Sequence, residues 1–124
     1  MKEEVKRWWE LAERDFKSAQ NNFNNADYYV ASLFCQQSVE KGLKAFYLKK
    51  FKEIKKIHNL LILAKDLKLP KGLIDKCDKL NPIYIETRYP GASGDLPHKK
   101  YTRDKSQEDI KNAEDILKWL KKKI

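Results

Sequence analysis

From Lys2 to about Asn22 the positions Val5, Trp8, Ala12, Asp15 and Ala19 recur at intervals of three and four, the period of one face of an α-helix. Four of the five are apolar or small, so Asp15 is an acid set into an apolar stripe, where burial is costly without a partner. It is a candidate for a buried ion pair or for a functional site. Asn24, Asn25 and Asp27 break the pattern, and Asp27 or a neighbour is placed to cap a second helix running to about Lys50. Along that helix Ala31, Cys35, Ser38, Gly42 and Ala45 form a stripe of small residues, which lets another helix come close. Val30, Leu33, Phe34, Val39, Leu43, Phe46 and Leu48 make it apolar over much of its circumference, so it is predicted to be central.

The lysine-rich stretch Phe51 to Ile57 leads to a short helix with Leu60, Leu63, Ala64 and Leu67 as its inner stripe. His58 stands at its start, as a cap or an anchor for a neighbouring loop. After Pro70 and Gly72, the spacing of Leu73, Cys77 and Leu80 continues the helical period, and Asn81-Pro82 predicts a kink or a restart. That element should end near Arg88, because Pro90 disfavours helical geometry at Tyr89. Residues 90–97, Pro-Gly-Ala-Ser-Gly-Asp-Leu-Pro, read as the turn-rich loop of the chain, the kind of segment that often carries function. Ser106 with Asp109 predicts a capped start for the last helix, with Ile110, Ala113, Leu117, Leu120 and Ile124 as its apolar stripe. The pattern predicts an all-α fold, an up-and-down bundle of four to five helices forming a single domain over residues 1–124. With 124 residues and only 4 Gly and 4 Pro, a turn-rich β-sandwich is excluded.

Charge adds a partner class to this picture. The formal net charge is +9, and residues 31–105 hold 17 basic against 8 acidic groups, an excess suited to nucleic acid, nucleotide or an acidic protein face. The longest aliphatic run, Leu60 to Ala64, is far short of the ~20 residues of a membrane span. Residues 1–15 lack the apolar stretch of a signal peptide, so a cytoplasmic location is expected. Cys35 and Cys77 sit at apolar helical positions and read as buried thiols.

No pair among His58, His98, Cys35 and Cys77 has metal-ligand spacing, and glycine-loop phosphate motifs are absent, so neither metal nor cofactor is expected. Anion binding must then use side chains. Two groups offer them. On the second helix stand Gln36, Gln37, Glu40, Lys41 and Lys44. Around the turn-rich loop stand Arg88, Tyr89, His98, Lys99, Lys100, Tyr101 and Arg103, where arginine can grip phosphate with two parallel N–H bonds and tyrosine can stack on a base.

Trp9-x-x-x-Ala-x-x-Asp15-x-x-x-Ala19, the run from Phe34-Cys35-Gln36-Gln37-Ser38-Val39-Glu40-Lys41-Gly42-Leu43-Lys44 to Ala45, His58 followed by Leu60 and Leu61, and Thr87-Arg88-Tyr89-Pro90 together resemble the HEPN domains, over nearly the whole chain. The resemblance implies a helical bundle, commonly dimeric, often encoded beside a minimal nucleotidyltransferase in two-component, toxin–antitoxin-like modules. Many such domains are metal-independent ribonucleases whose motif is an Arg followed, after four to six residues, by His. Here that Arg would fall at positions 51–53 or 91–93, which are Phe, Lys, Glu and Gly, Ala, Ser, so the motif is missing. The resemblance therefore implies a domain that binds nucleotide or RNA, with Arg88 on phosphate, Lys41, Lys44 and Tyr89 lining the site, and Asp15 orienting a basic neighbour. The alternatives are an endoribonuclease using Arg88 and His98 across a dimer interface, and an interaction scaffold with no ligand. Exposed Trp8 or Trp9 would suit a dimer contact.

Overall fold

A computed structural model describes residues 2–92 and 94–124. Among them are seven helical segments and no strand: α1 (Glu3–Asn24), α2 (Tyr28–Phe51), α3 (Leu60–Asp66), α4 (Lys71–Leu80), α5 (Ile83–Glu86), α6 (Pro97–Lys100) and α7 (Arg103–Lys121). The long helices α1, α2 and α7 pack side by side, with α1 and α2 the most extensive pair. The shorter α3 and α4 close the core against them, α3 on α2 and α4 on α7.

The buried face of α1 is Val5, Trp9, Ala12, Asp15 and Ala19. Of the adjacent tryptophans it is Trp9 that enters the core, at 7% exposure, whereas Trp8, expected in the stripe, lies half-buried beside it. Two neighbours on a helix are about 100° apart and cannot share one face, and the register set by Val5 and Ala12 favours position 9. All five small residues of α2 are buried. Gly42 marks the tightest approach: a Cβ there would lie 3.1 Å from methyl groups of both Leu117 and Leu120 and 3.3 Å from the Trp9 ring. Ser38 donates its hydroxyl proton to the Ala12 carbonyl of α1 at 2.6 Å, a polar clasp between the two helices.

Several boundaries depart from the sequence reading. Asp27 occupies the residue before α2, but its side chain makes no capping bond. His58 does not cap α3. That cap is Asn59, whose side chain accepts from the Ile62 N–H at 3.1 Å, while Asn81 accepts from the Leu60 N–H at 2.9 Å. Pro82 restarts the chain as α5, as expected. The last helix begins one turn before Ser106, capped by Thr102, which accepts from the Lys105 N–H at 3.1 Å. Ser106 and Asp109 instead lie inside α7 and are buried: Ser106 donates to the Tyr28 carbonyl, and Ser32 of α2 donates to Asp109 at 2.8 Å. A capping pair and a buried polar pair have the same residue types at the same spacing, and only the packing of α2 distinguishes them. Both cysteines are free and buried, and burial pushes the Cys77 thiol up to about 12. No helix among the described residues is long and apolar enough to cross a membrane.

Candidate functional site

Glu40, in the middle of α2, is almost fully enclosed and gathers three donors. Its Oε1 accepts from Gln36 at 2.9 Å, and its Oε2 accepts from Lys44 at 2.9 Å and meets the Nδ1 of His58 at 3.0 Å. Burial alone would raise the carboxyl pKa, yet the hydrogen bonds from Gln36, Lys44 and His58, with the charge of Lys44, outweigh it and hold the group below its ordinary value. The sign for stability follows. Glu40 stabilises the fold above the ordinary carboxylate range, and that contribution disappears as pH falls through the lowered folded value. Urea midpoints followed from pH 6 down to pH 2 should therefore fall less steeply in Glu40→Gln than in the native chain.

From Glu40 the cluster extends outward as a pile of flat groups. His58, exposed on one side, stacks on the Tyr84 ring with centroids 4.2 Å apart and planes 15° from parallel. The Arg88 guanidinium carbon lies 3.9 Å from the same ring centroid. Two planar groups at these heights would collide on one face of the ring, so Tyr84 is sandwiched between imidazole and guanidinium. The spacing that makes this possible is local: Arg88 follows Tyr84 by four residues, one helical turn, and donates from Nη1 to the Tyr84 carbonyl at 3.0 Å. Half-buried Arg88 forms no ion pair with any carboxylate among the described residues.

The predicted site residues are thus divided. Lys44 joins the Arg88 pile through Glu40 and also lies 5.8 Å from the Trp8 ring. Lys41, one turn earlier, faces α1 instead. It pairs with buried Asp15 and donates to Gln37 at 3.2 Å, so the basic neighbour that Asp15 orients is Lys41. Tyr89 is 56% exposed beside Arg88. The loop cluster disperses: Lys100 at 3.2 Å and the Tyr101 hydroxyl at 2.8 Å both serve Glu86, and Arg103 lies over Phe23. His98 is exposed in α6, and no hydrogen bond joins it to Arg88 among the described residues. The imidazole connected to Arg88 is His58.

Sequence reasoning missed Tyr84 altogether and left His58 and Glu40 with structural roles. The aromatic residue one turn before Arg88 was the available signal. The meeting of Glu40, His58 and Tyr84 is tertiary and leaves no trace in spacing.

The sequence profile of the HEPN domain matches residues 5–124. The crystal structure of TT1696 from Thermus thermophilus superposes with a TM-score of 0.92 at 29% identity, covering 99% of this chain and 100% of that one. ST0689, an archaeal HEPN homologue, superposes with a TM-score of 0.80 at 28% identity, covering 98% of each chain. No curated protein gives a significant match.

Proposed function

The chain belongs to the HEPN domain family, and from that premise we propose that it binds an anionic ligand, a nucleotide or a segment of RNA, on the face of α2 and α5 that carries Arg88. The observation that supports this most is the state of the guanidinium: half-buried, its carbon 3.9 Å from the Tyr84 ring centroid, with one N–H group on a carbonyl and none on a carboxylate among the described residues. A partly desolvated cation without a counter-ion favours an incoming anion, and the fork of arginine fits phosphate. In this reading Arg88 grips phosphate, while Lys44 and His58, both held on Glu40, stand on the far side of Tyr84. Both faces of Tyr84 are already covered, so base stacking falls to exposed Tyr89. Lys41, on the α1-facing side of α2 and steadied by Asp15, stands one turn before Lys44.

The family setting extends the proposal to partners. A minimal nucleotidyltransferase is the expected second component of a toxin–antitoxin-like module. Self-association would use the apolar patch of Trp8, Leu11 and Ile54, the last two 45% exposed.

A second reading, a metal-independent endoribonuclease, draws on the Glu40–His58 pair. A carboxylate on Nδ1 fixes the ring and leaves Nε2 to take or give a proton, with Arg88 across the Tyr84 ring. In the variant that uses His98, a partner protomer supplies it. Labelled single-stranded RNA incubated in EDTA with the native chain, Arg88→Ala, His58→Ala and His98→Ala separates the readings. The proposal expects binding without cleavage, weakened by Arg88→Ala and unaffected by His98→Ala. Cleavage lost in Arg88→Ala and in one histidine variant would establish the enzyme instead, and RNA and nucleotide both left unbound would defeat the proposal.

A further inference from the structure

Three short segments hold the charge imbalance of the whole chain. Residues 2–7, 49–56 and 118–123 contain 12 basic and 3 acidic side chains, a net of +9, while the remaining residues carry 15 of each sign. Along the sequence these segments are far apart, but the fold brings them to one end of the bundle. Lys2, Glu3, Glu4 and Val5 of the α1 start line a common groove with Leu48, Lys49 and Lys52 at the α2 end. Lys49 donates to the carbonyls of Lys123 and Ile124, at 2.9 and 3.0 Å, which ties in the end of α7.

Local acids neutralise only part of this end. Lys6 pairs with Glu10, Arg7 with Glu3 and Lys118 with Glu114, and Glu53 accepts from the Tyr47 hydroxyl at 3.3 Å. Lys2, Lys50, Lys52, Lys121 and Lys122 are exposed and form no ion pair among the described residues. The C-terminal poles of α2 and α7 offset only about half a charge each. Aromatic rings lie among the lysines: Lys50 is 5.4 Å from the Phe51 ring, itself 42% exposed, Lys123 is 4.9 Å from Trp119, and Lys55 is 5.9 Å from Tyr47.

We infer that this end of the bundle is an interaction surface for the backbone of single-stranded nucleic acid, separate from the Arg88 site, so that the chain takes a polynucleotide in preference to a free nucleotide. Lysines without counter-ions release condensed cations from a phosphate chain, and the exposed ring of Phe51 among them gives a base a stacking surface. An acidic membrane is the poorer fit, because the lysines of this end come from three separate segments and Phe51, apart from Ile54 in the Trp8 patch, is its one large exposed apolar side chain, rather than part of a continuous apolar helix face. Lys50 lies ten residues beyond Glu40 on α2, about 15 Å along the axis, a gap that one short oligonucleotide can bridge. The nucleic-acid identity of the anion rests on the function proposed above, whereas the surface rests on its own charge.

Fluorescence anisotropy of a labelled 15-nucleotide oligo(U), titrated across a range of salt concentrations, tests this. The native chain is compared with Arg88→Ala and with the triple variant Lys50→Gln/Lys122→Gln/Lys123→Gln, whose three positions are exposed and whose fold is checked by circular dichroism. Removing three phosphate contacts should weaken binding roughly 100-fold at 0.1 M salt and make the salt dependence shallower by about 2 log units per log unit. AMP binding should be unchanged. Oligonucleotide affinity and salt slope unaltered in the triple variant would overturn the inference, even if Arg88→Ala abolishes binding and so upholds the Arg88 site. Loss in the triple variant with no effect of Arg88→Ala would uphold the surface and defeat the Arg88 site. Binding to phosphatidylserine vesicles with none to oligo(U) would also overturn it.

Discussion

Arg88→Lys is expected to lose nearly as much nucleotide affinity as Arg88→Ala, about 10- to 100-fold in Kd, although it keeps the positive charge. A hydrogen bond to a charged group contributes about 1.5–3 kcal/mol. What distinguishes this site is a planar fork already oriented by the Tyr84 ring and the Tyr84 carbonyl. An ammonium cannot lie flat on the ring with two parallel N–H groups directed at one phosphate. Isothermal calorimetry with AMP on both variants checks this. Arg88→Lys binding as tightly as the native chain would show that only charge matters there, and that the stack on Tyr84 is a packing feature.

The largest effect on stability should come from the other polar cluster, where α2 meets α7. Asp109 is 1% exposed, and its carboxylate is held by Lys105, at 2.8 and 3.0 Å, and by Ser32. Burial raises its pKa despite these partners, so the charged form destabilises the fold at neutral pH and is relieved on acidification. Lys105→Ala leaves that charge buried with one hydroxyl for company. A loss of about 3 kcal/mol is expected, or roughly 12 °C in Tm for a chain of this size. The defect should shrink as the pH is lowered, because Asp109 is then neutral, and Asp109→Asn introduced beside Lys105→Ala should restore most of the stability. A Tm drop that is the same at pH 5 and pH 8 would assign the loss to packing of the lysine stem.

These two clusters also mark where the sequence was legible and where it was not. The periodicity of α1 and α7 is strong because each has one core-facing stripe; α2 was legible as central because it is apolar over much of its circumference, and its small residues announced the close approach that Gly42 and Ser38 make. Asp15 in an apolar stripe was readable as an ion pair in waiting, since a lone buried carboxylate is untenable; that Lys41 answers it is decided by the register of α1 on α2. Ser106 and Asp109 misled because a capping pair and a buried pair have the same spacing. The candidate site is harder still. Arg88 was visible from Arg-Tyr-Pro, but its support comes from α2, from the segment before α3 and from α5, with local spacing connecting only Tyr84 to Arg88. Charge was misplaced for a related reason: folding brings the basic residues of 2–7 and 118–123, near the two ends of the sequence, beside 49–56, a grouping that a count along the chain does not show.

The account depends on Arg88 meeting phosphate. The most direct measurement is the side-chain Nε–H signal of Arg88 in 1H–15N spectra, assigned through its loss in Arg88→Lys, during titrations with AMP and with adenosine. The account predicts that the signal moves and saturates with AMP and stays in place with adenosine, which carries the same base and sugar without the anion. A signal that ignores AMP, or that follows adenosine equally, would contradict it.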